Sequence, residues 1–443
     1  PFISTDRISS MCLTTESSSC TIDRYEYTKI PDREVSLRNI IILGLVSFFA
    51  DLSTEMVYPL IPLYLTSVFG ATPALVGLIE GIAESLASLL RVFGGYISDK
   101  FRKKKPIAFV GYSTGLIYKL ALLFAGSWAG VLAARVIDRF GKGIRTAPRD
   151  VLVSESGGDM KLGHSFGLHK MLDMAGSAAG ILAAYFIMRA GDGEYRYKRI
   201  FVFSAIPMLV ALFLFIFIRE TGKKEAREGE AAKPGVAKAG AEGEGKQKPL
   251  RVFEGLRNLD RRLKLYLTVV FIFTLGNSSN TFLLLRAGNV GFDAATVVFL
   301  YFLYNIVSSL LSLPFGRLSD RLGRKRVLVA GYLVFSLVYA AFAWAGSKTT
   351  IVAAFALYGV FTAATAGVER AFIAELAPKE LKGTVLGLHS TIVGIALFPA
   401  SLIAGLLWNA FGPVAPFALG ASLSLVAALT LGVGLDSGIA KSR

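Results

Sequence analysis

From residue 39 to residue 435 the chain alternates long apolar blocks with short polar segments, and one longer polar stretch at 219–263 interrupts the alternation. A helix needs about 20 apolar residues to cross roughly 30 Å of hydrocarbon, so each block has the length of one membrane crossing. The pattern predicts helices at 39–66, 73–97, 105–126, 129–153, 165–190, 199–218, 264–287, 293–315, 327–346, 349–376, 385–408 and 412–435. These form two sets of six. The expected fold is all-α and integral to the membrane: a disordered tail (1–38), a six-helix bundle (39–218), a basic linker (219–263), a second six-helix bundle (264–435) and a short tail (436–443). The linker, with Lys223 to Arg227 and Ala241 to Gly245, is too polar to bury and is expected to stay solvated.

The polar segments repeat as well. Gly95-Tyr96-Ile97-Ser98-Asp99 followed by bases to Lys105 recurs as Gly316-Arg317-Leu318-Ser319-Asp320 followed by bases to Arg326, with the aspartates 221 residues apart. Gly167-Leu168-His169 recurs as Gly387-Leu388-His389, 220 residues on. One half therefore repeats the other, as in transporters whose two bundles rock about a central site.

Composition agrees with a bilayer protein: 53% hydrophobic, 18% charged and a mean hydropathy of +0.55. The net charge of +16 would suit a nucleic-acid binder, but the bases follow loop parity instead. With the N-terminus in the cytoplasm, about 33 Lys and Arg fall inside and about 5 outside, as the positive-inside rule requires. Both termini are thus expected in the cytoplasm, with the chain in the cell membrane. Proline at 59, 62, 314 and 399 predicts bends.

Charges inside the apolar blocks each cost about 2.5–3.5 kcal/mol at the bilayer centre and ask for a reason. Asp51 and Glu55 stand four apart on the first helix, as do Glu80 and Glu84 on the second, so each pair shares a face. The fourth helix carries Arg135, Asp138, Arg139, Lys142, Arg145, Arg149 and Asp150, largely as one basic stripe; the fifth adds His169, Lys170 and Asp173. The second half offers mainly Arg286, Glu369, Arg370, Glu375 and His389. Paired inward acids repel, and one member of a pair held protonated is the chemistry of proton coupling. Simple neutralisation of these acids by the bases is the alternative. Tyr58, Asn277, Asn280, Tyr301 and Tyr304 are candidate walls of a site, and His169 and His389, at matching positions, suggest a structural hydrogen bond in each bundle.

The repeated strings resemble the signature loop of the major facilitator superfamily, which joins its second and third helices and again its eighth and ninth. Gly316, Asp320, Gly323 and Arg324 fit that pattern; Gly95, Asp99 and Lys103 fit it too, with Arg102 where the second glycine would stand. The resemblance implies twelve helices in two pseudo-symmetric bundles. It also implies that Asp99, and more weakly Asp320, latches the cytoplasmic gate by capping a helix of the opposite bundle. Helices 1 and 4 line the cavity in that family, which implies that part of the basic stripe lies beside Asp51 and Glu55. The family's antiporters carry Arg, two residues, Gln and Gly on helix 4; here Arg135 is followed by Asp138 and Arg139. The helix 5 pattern lacks its proline and its second glycine at 176–181.

The expected function is secondary active transport of a small organic solute, as proton-coupled efflux by a monomer within membrane lipid. Coupling or recognition falls to Asp51 and Glu55, with Arg135, Asp138, Arg145 and Asp173 as partners. Uptake or exchange of an organic anion on the helix 4 stripe is a second reading, and a receptor or assembly factor without turnover a third. The sequence has no phosphate loop, zinc-ligand spacing or nucleophile elbow, so neither an enzyme nor a cofactor is expected.

Overall fold

The computed structural model describes residues 33–101, 104–156, 162–190, 195–218, 260–378 and 382–434, with Gly193; side chains at 33–37, 91–103, 154–155, 162–168 and 382–384 are outside this description. Residues 1–32, the second tail and most of the linker fall outside the described residues, while residues 33–38, expected in the first tail, begin the first helix. Among those described, every element is helical. The first bundle contains α1 (Arg33–Val57), a 3-10 turn (Tyr58–Leu60), α2 (Ile61–Phe69), α3 (Pro73–Phe101), α4 (Lys104–Leu123), α5 (Trp128–Ser156), α6 (Leu162–Arg189) and α7 (Tyr195–Ile216). The second contains α8 (Arg261–Gly276), α9 (Thr281–Asn289), α10 (Ala294–Leu322), α11 (Arg324–Ala343), α12 (Lys348–Leu376), α13 (Lys382–Phe411) and α14 (Val414–Gly434).

Eleven stretches of the described residues are long and apolar enough to cross a membrane, counting α1 with α2, and α8 with α9, as one crossing each. The twelfth is α5, whose 29 residues have the length but carry the charged stripe. The predicted architecture of twelve helices in two bundles is therefore the observed one. The first crossing of each half is broken, and at matching positions: around Pro59 in the first half and at Asn277–Asn280 in the second. The prolines announce the first break, whereas the second, inside a predicted continuous helix at 264–287, has no proline. Its exposed backbone finds partners instead: Asn277 N–H donates to the Phe273 and Thr274 carbonyls, and Ser279 N–H donates to the Ser401 hydroxyl at 3.3 Å. Such substitutes make irregular backbone tolerable at membrane depth. Helices α10 and α13 run on through Pro314 and Pro399.

Within the first bundle α1 packs on α6 and α7, α3 on α5, and α4 on α5 and α7; the second repeats this with α8 on α14, α10 on α12, and α11 on α12 and α14. The bundles meet along two seams, α3 with α13 and α6 with α10. The α3 seam is built from small residues. A side chain at Gly77 would strike the Ser401 carbonyl, and one at Gly405 the Pro73 carbonyl; Gly394 faces Ser88. Close backbone approach is how helices gain dispersion contact where lipid offers no hydrophobic drive to associate. Gly176 and Gly180 do the same inside the first bundle, pressing α6 onto the α1 backbone at Phe48 and Leu52.

Ends are finished by side chains. One residue, Gly323, joins α10 to α11 with φ of +94°, a conformation that an L side chain resists, which accounts for the second glycine of the repeated string. Arg286 is buried and donates to the carbonyls of Phe342, Ala343 and Ala345 at 2.9–3.3 Å, closing the end of α11. Its intramembrane charge is thus a helix cap. Asp293 caps α10 by accepting from the N–H groups of Ala295 and Thr296 at 3.0 and 3.1 Å.

Two outcomes follow from this packing. Gly405→Val wedges the α3–α13 seam and should lower stability by about 1–3 kcal/mol, read as a reduced Tm of the detergent-purified protein. At Asp293, outside the membrane-spanning segments, the Thr296 hydroxyl and the two amides hold the carboxyl below the ordinary carboxylate range. A lowered folded-state value means that its contribution is present at neutral pH and is lost as pH falls through that value. Asp293→Ala should therefore cost roughly 0.5–2 kcal/mol in thermal unfolding at pH 7 and less in acid buffer.

Candidate functional site

Parallel placement of α3 and α5 sets two acids against two arginines at the same spacing. Arg135 Nη2 contacts both carboxylate oxygens of Glu80, and one helical turn on, Arg139 meets Glu84 at 2.7 Å. Arg135 and Glu80 are each 1% exposed, so the pair is removed from water altogether. Tyr58, at the first break, lies beneath both guanidinium groups at 5.3 and 5.5 Å from its ring. Arg135, expected beside the acids of α1, pairs with Glu80 of α3 instead, because the charged stripe on α5 is wider than one helical face. Its upper residues point to α3 and its lower residues to α1.

Asp51 and Glu55 face that lower part. Around Asp51 stand Asp173 from α6 and Arg145 and Lys142 from α5; around Glu55 stand Lys142, Arg139 and, more remotely, Asp173. Asp51 of α1 and Asp173 of α6 are neighbours, so two acids of adjacent helices face one another here. Asp173 also accepts from Ser47 Oγ at 2.9 Å and from Lys170 Nζ at 2.7 Å. Arg145 is buried and rests on the Tyr112 ring at 4.4 Å. Four of the predicted residues, Asp51, Glu55, Arg145 and Asp173, are therefore together. Asp138 lies 3.5 Å from Arg139 and is the nearest acid to the fully buried Lys119 of α4, on which Asp51 acts more weakly.

Two hydrogen bonds tie this network to the second bundle. Tyr301 O–H donates to Glu55 Oε2 at 3.2 Å, and Ser279 O–H, from the second break, donates to Glu80 Oε2 at 3.4 Å. Tyr301, Tyr304 and Tyr358 form an edge-to-face ladder with centroids 5.0 and 5.3 Å apart. Asn280 is held inside it, accepting from Tyr358 O–H at 2.6 Å and donating to Tyr304 at 3.3 Å.

Between the bundles lies a cavity of about 320 Å³. Its lining includes Tyr58 and Glu84 from the first bundle, Asn277 and Asn280 from the second break, and Tyr304, Tyr358 and Glu369 from α10 and α12. Both breaks therefore open on it. It is closed beyond the breaks by buried apolar residues of α2 and α9, such as Leu63, Leu65, Phe282 and Leu284. On the side of the chain termini it reaches Ala366, which is exposed, and Glu369. A smaller recess of about 130 Å³ between α10, α11 and α12 is lined mainly by apolar residues such as Phe315, Val334 and Val360, with Arg326 also in its lining.

Of the gating residues, Lys103 lies outside the described residues; Gly95 and Asp99 are on the helical backbone of α3, with side chains outside the description. In the second copy, Gly316 has nothing within 4 Å of where a side chain would begin, and Asp320 is exposed and lies 3.5 Å from Arg324. Arg324 in turn reaches Glu375 of α12 at 2.8 Å, so these contacts stay inside the second bundle. Nε2 of His169 and of His389 has no hydrogen-bond partner among the described residues, so the suggested hydrogen bond is not made through that atom. Residues that the sequence analysis left out of its candidate set are Glu80, Glu84, Lys142 and Glu369. Their signal was present as charge within apolar blocks, but a single helix's spacing does not say which neighbouring helix answers it.

The sequence profile of the Major Facilitator Superfamily matches residues 43–287 and 265–437. A relative from Methanocaldococcus jannaschii, described as an uncharacterized MFS-type transporter, is 37% identical over 407 residues, 90% of this chain and 95% of its own. The chain belongs to the major facilitator superfamily. More distantly, multidrug resistance protein MdtH of Salmonella arizonae is 24% identical over 293 residues, 64% of each chain. Among solved structures, a mutant of the nucleoside transporter NupG superposes with a TM-score of 0.74 at 13% identity, covering 89% of this chain and 99% of its own. A D-xylose-proton symporter superposes with a TM-score of 0.67 at 15% identity, covering 89% and 96%. At these identities the superfamily's two-bundle fold is what is shared. The protein is a multi-pass membrane transporter of this superfamily and not an enzyme.

Breaking a buried ion pair strands the remaining charge and costs about 3–5 kcal/mol, whereas removing both partners costs far less. Glu80→Gln and Arg135→Gln should each lower the unfolding stability strongly, and the double variant by less than either single one. A double-mutant cycle on Tm checks this through a coupling of roughly 2 kcal/mol or more.

Proposed function

We propose that this protein is a proton-coupled secondary transporter that exports a small organic solute from the cytoplasm by alternating access. The observation that carries the reading is the meeting of Asp51, Glu55 and Asp173 with Lys142 and Arg145, joined through Tyr301 to Tyr304 in the wall of the cavity between the two bundles. The cluster couples charge to shape. Glu55 as a carboxylate accepts the Tyr301 hydroxyl across the bundle interface; a proton arriving there removes the stronger acceptor and weakens a contact that exists only while the bundles are close. In the opposite sense, separation of the bundles removes Tyr301 from Glu55 and changes its affinity for the proton, as linkage requires.

Export is favoured over uptake by the likeness to a protein described as conferring multidrug resistance. The cavity lining, which holds two glutamates and no Lys or Arg among the described residues, speaks for a neutral or cationic solute over an anion. Basic loops on the side of the termini favour the cytoplasmic face of the cell membrane for that side. The conformation described is then the one closed to the outside, and one monomer holds the whole site. Asp99 and Asp320 serve in this reading as latches that alternate with it.

Purified protein in liposomes holding a pH-sensitive dye tests the assignment against a mixed compound library, with Asp51→Asn and Glu55→Gln in parallel. The wild type should move protons against some compound, and either variant should lose at least tenfold of that flux. Compound flux at equal rate in all three proteins, without proton movement, would refute the coupling.

A further inference from the structure

The two bundles treat their buried acids differently. In the first, each carboxylate that reaches the cavity is already answered by a base, as Glu84 is by Arg139. In the second, Glu369 lines the same cavity from α12 and, among the described residues, forms no ion pair. What holds it is the Tyr332 hydroxyl, donated from α11 to Oε1 at 3.1 Å, with Tyr266 of α8 next to Tyr332 behind it. Arg370, its neighbour on α12, is exposed and is a minor influence on it.

The walls beside this carboxylate are aromatic. Phe273 stacks on Tyr332 with centroids 4.1 Å apart and 14° between the planes, and Phe361 lies 5.9 Å from Phe273; both face the cavity. Aromatic faces attract cations and apolar rings alike, and a buried carboxylate with no base beside it is balanced either by a proton or by a cation that enters the cavity. A neutral solute draws no charge attraction from this carboxylate, and an anion adds repulsion. An organic cation with aryl groups meets both the carboxylate and the aromatic walls. About 320 Å³ is within the range of pockets that hold drug-sized molecules.

We propose that Glu369 seats the positively charged end of the solute, that this solute is an organic cation with an aromatic body, and that Tyr332 positions the carboxylate for it. The proposal deepens the transport reading and rests on it, but it separates two tasks: protons are handled in the first bundle at Asp51 and Glu55, and the cation is recognised in the second. An exporter so arranged need not use one carboxylate for both.

Tetraphenylphosphonium and neutral triphenylphosphine oxide serve as probes, their binding to detergent-purified full-length protein measured by equilibrium dialysis. Glu369→Gln should weaken binding of the phosphonium at least tenfold and leave the neutral probe within twofold. Tyr332→Phe should weaken the phosphonium severalfold, and it carries the same comparison if the glutamine variant does not purify folded. Asp293→Asn, a surface cap, should change neither. Equal weakening of both probes would mean a structural role for Glu369 and overturn the proposal, as would an unchanged phosphonium affinity or a wild type that does not bind phosphonium. None of these results bears on proton flux in liposomes, so failure here is distinguishable from failure of the transport reading.

Discussion

The contact on which the first bundle depends is the doubled glutamate–arginine pairing between α3 and α5. Helix α5 carries more charge than any lone helix could keep within hydrocarbon, where each group costs about 2.5–3.5 kcal/mol. It stays there because α3 presents Glu80 and Glu84 in the same register, α1 presents Asp51 and Glu55, and Tyr58 covers the guanidinium faces. Remove that register and α5 has no place in the membrane. Glu84, which lines the cavity, would then lose the base that answers it.

From the same pairing comes the link between bundles. Glu80 accepts from Ser279, which exists as a free donor only because the seventh crossing is broken there. Glu55 accepts from Tyr301. In these two contacts the first bundle supplies carboxyl acceptors and the second supplies hydroxyl donors. Contacts of that kind are directional and individually modest, so they can be exchanged as the bundles move, whereas the ion pairs inside the first bundle move as one body.

Fold and repeat were legible in the sequence because a bilayer leaves one way to satisfy a spanning backbone, and block length then counts the crossings. The break at Pro59 was legible for a related reason. The break at Asn277–Asn280 was not, since its stability comes from Ser401, 122 residues away. Asp51, Glu55, Arg145 and Asp173 were found as a set from charge in apolar blocks. Arg135 was found but given the wrong neighbour, because i, i+4 spacing defines a face of α5 without saying which helix lies opposite. Glu369 stood out less than the crowded acids of the first half. Only its placement on the cavity, without a base beside it, sets it apart.

Helix α5 also bears on how the chain enters the membrane. Alone, it is the one crossing of the described twelve too polar to partition from the insertion machinery into lipid. Its counter-ions on α1 and α3 are synthesised before it, so they already wait in the membrane when Arg135 and Arg139 emerge. The order of helices along the gene is in this sense part of the assembly route: moving α5 ahead of α3 would keep every contact of the finished protein and remove the path to it.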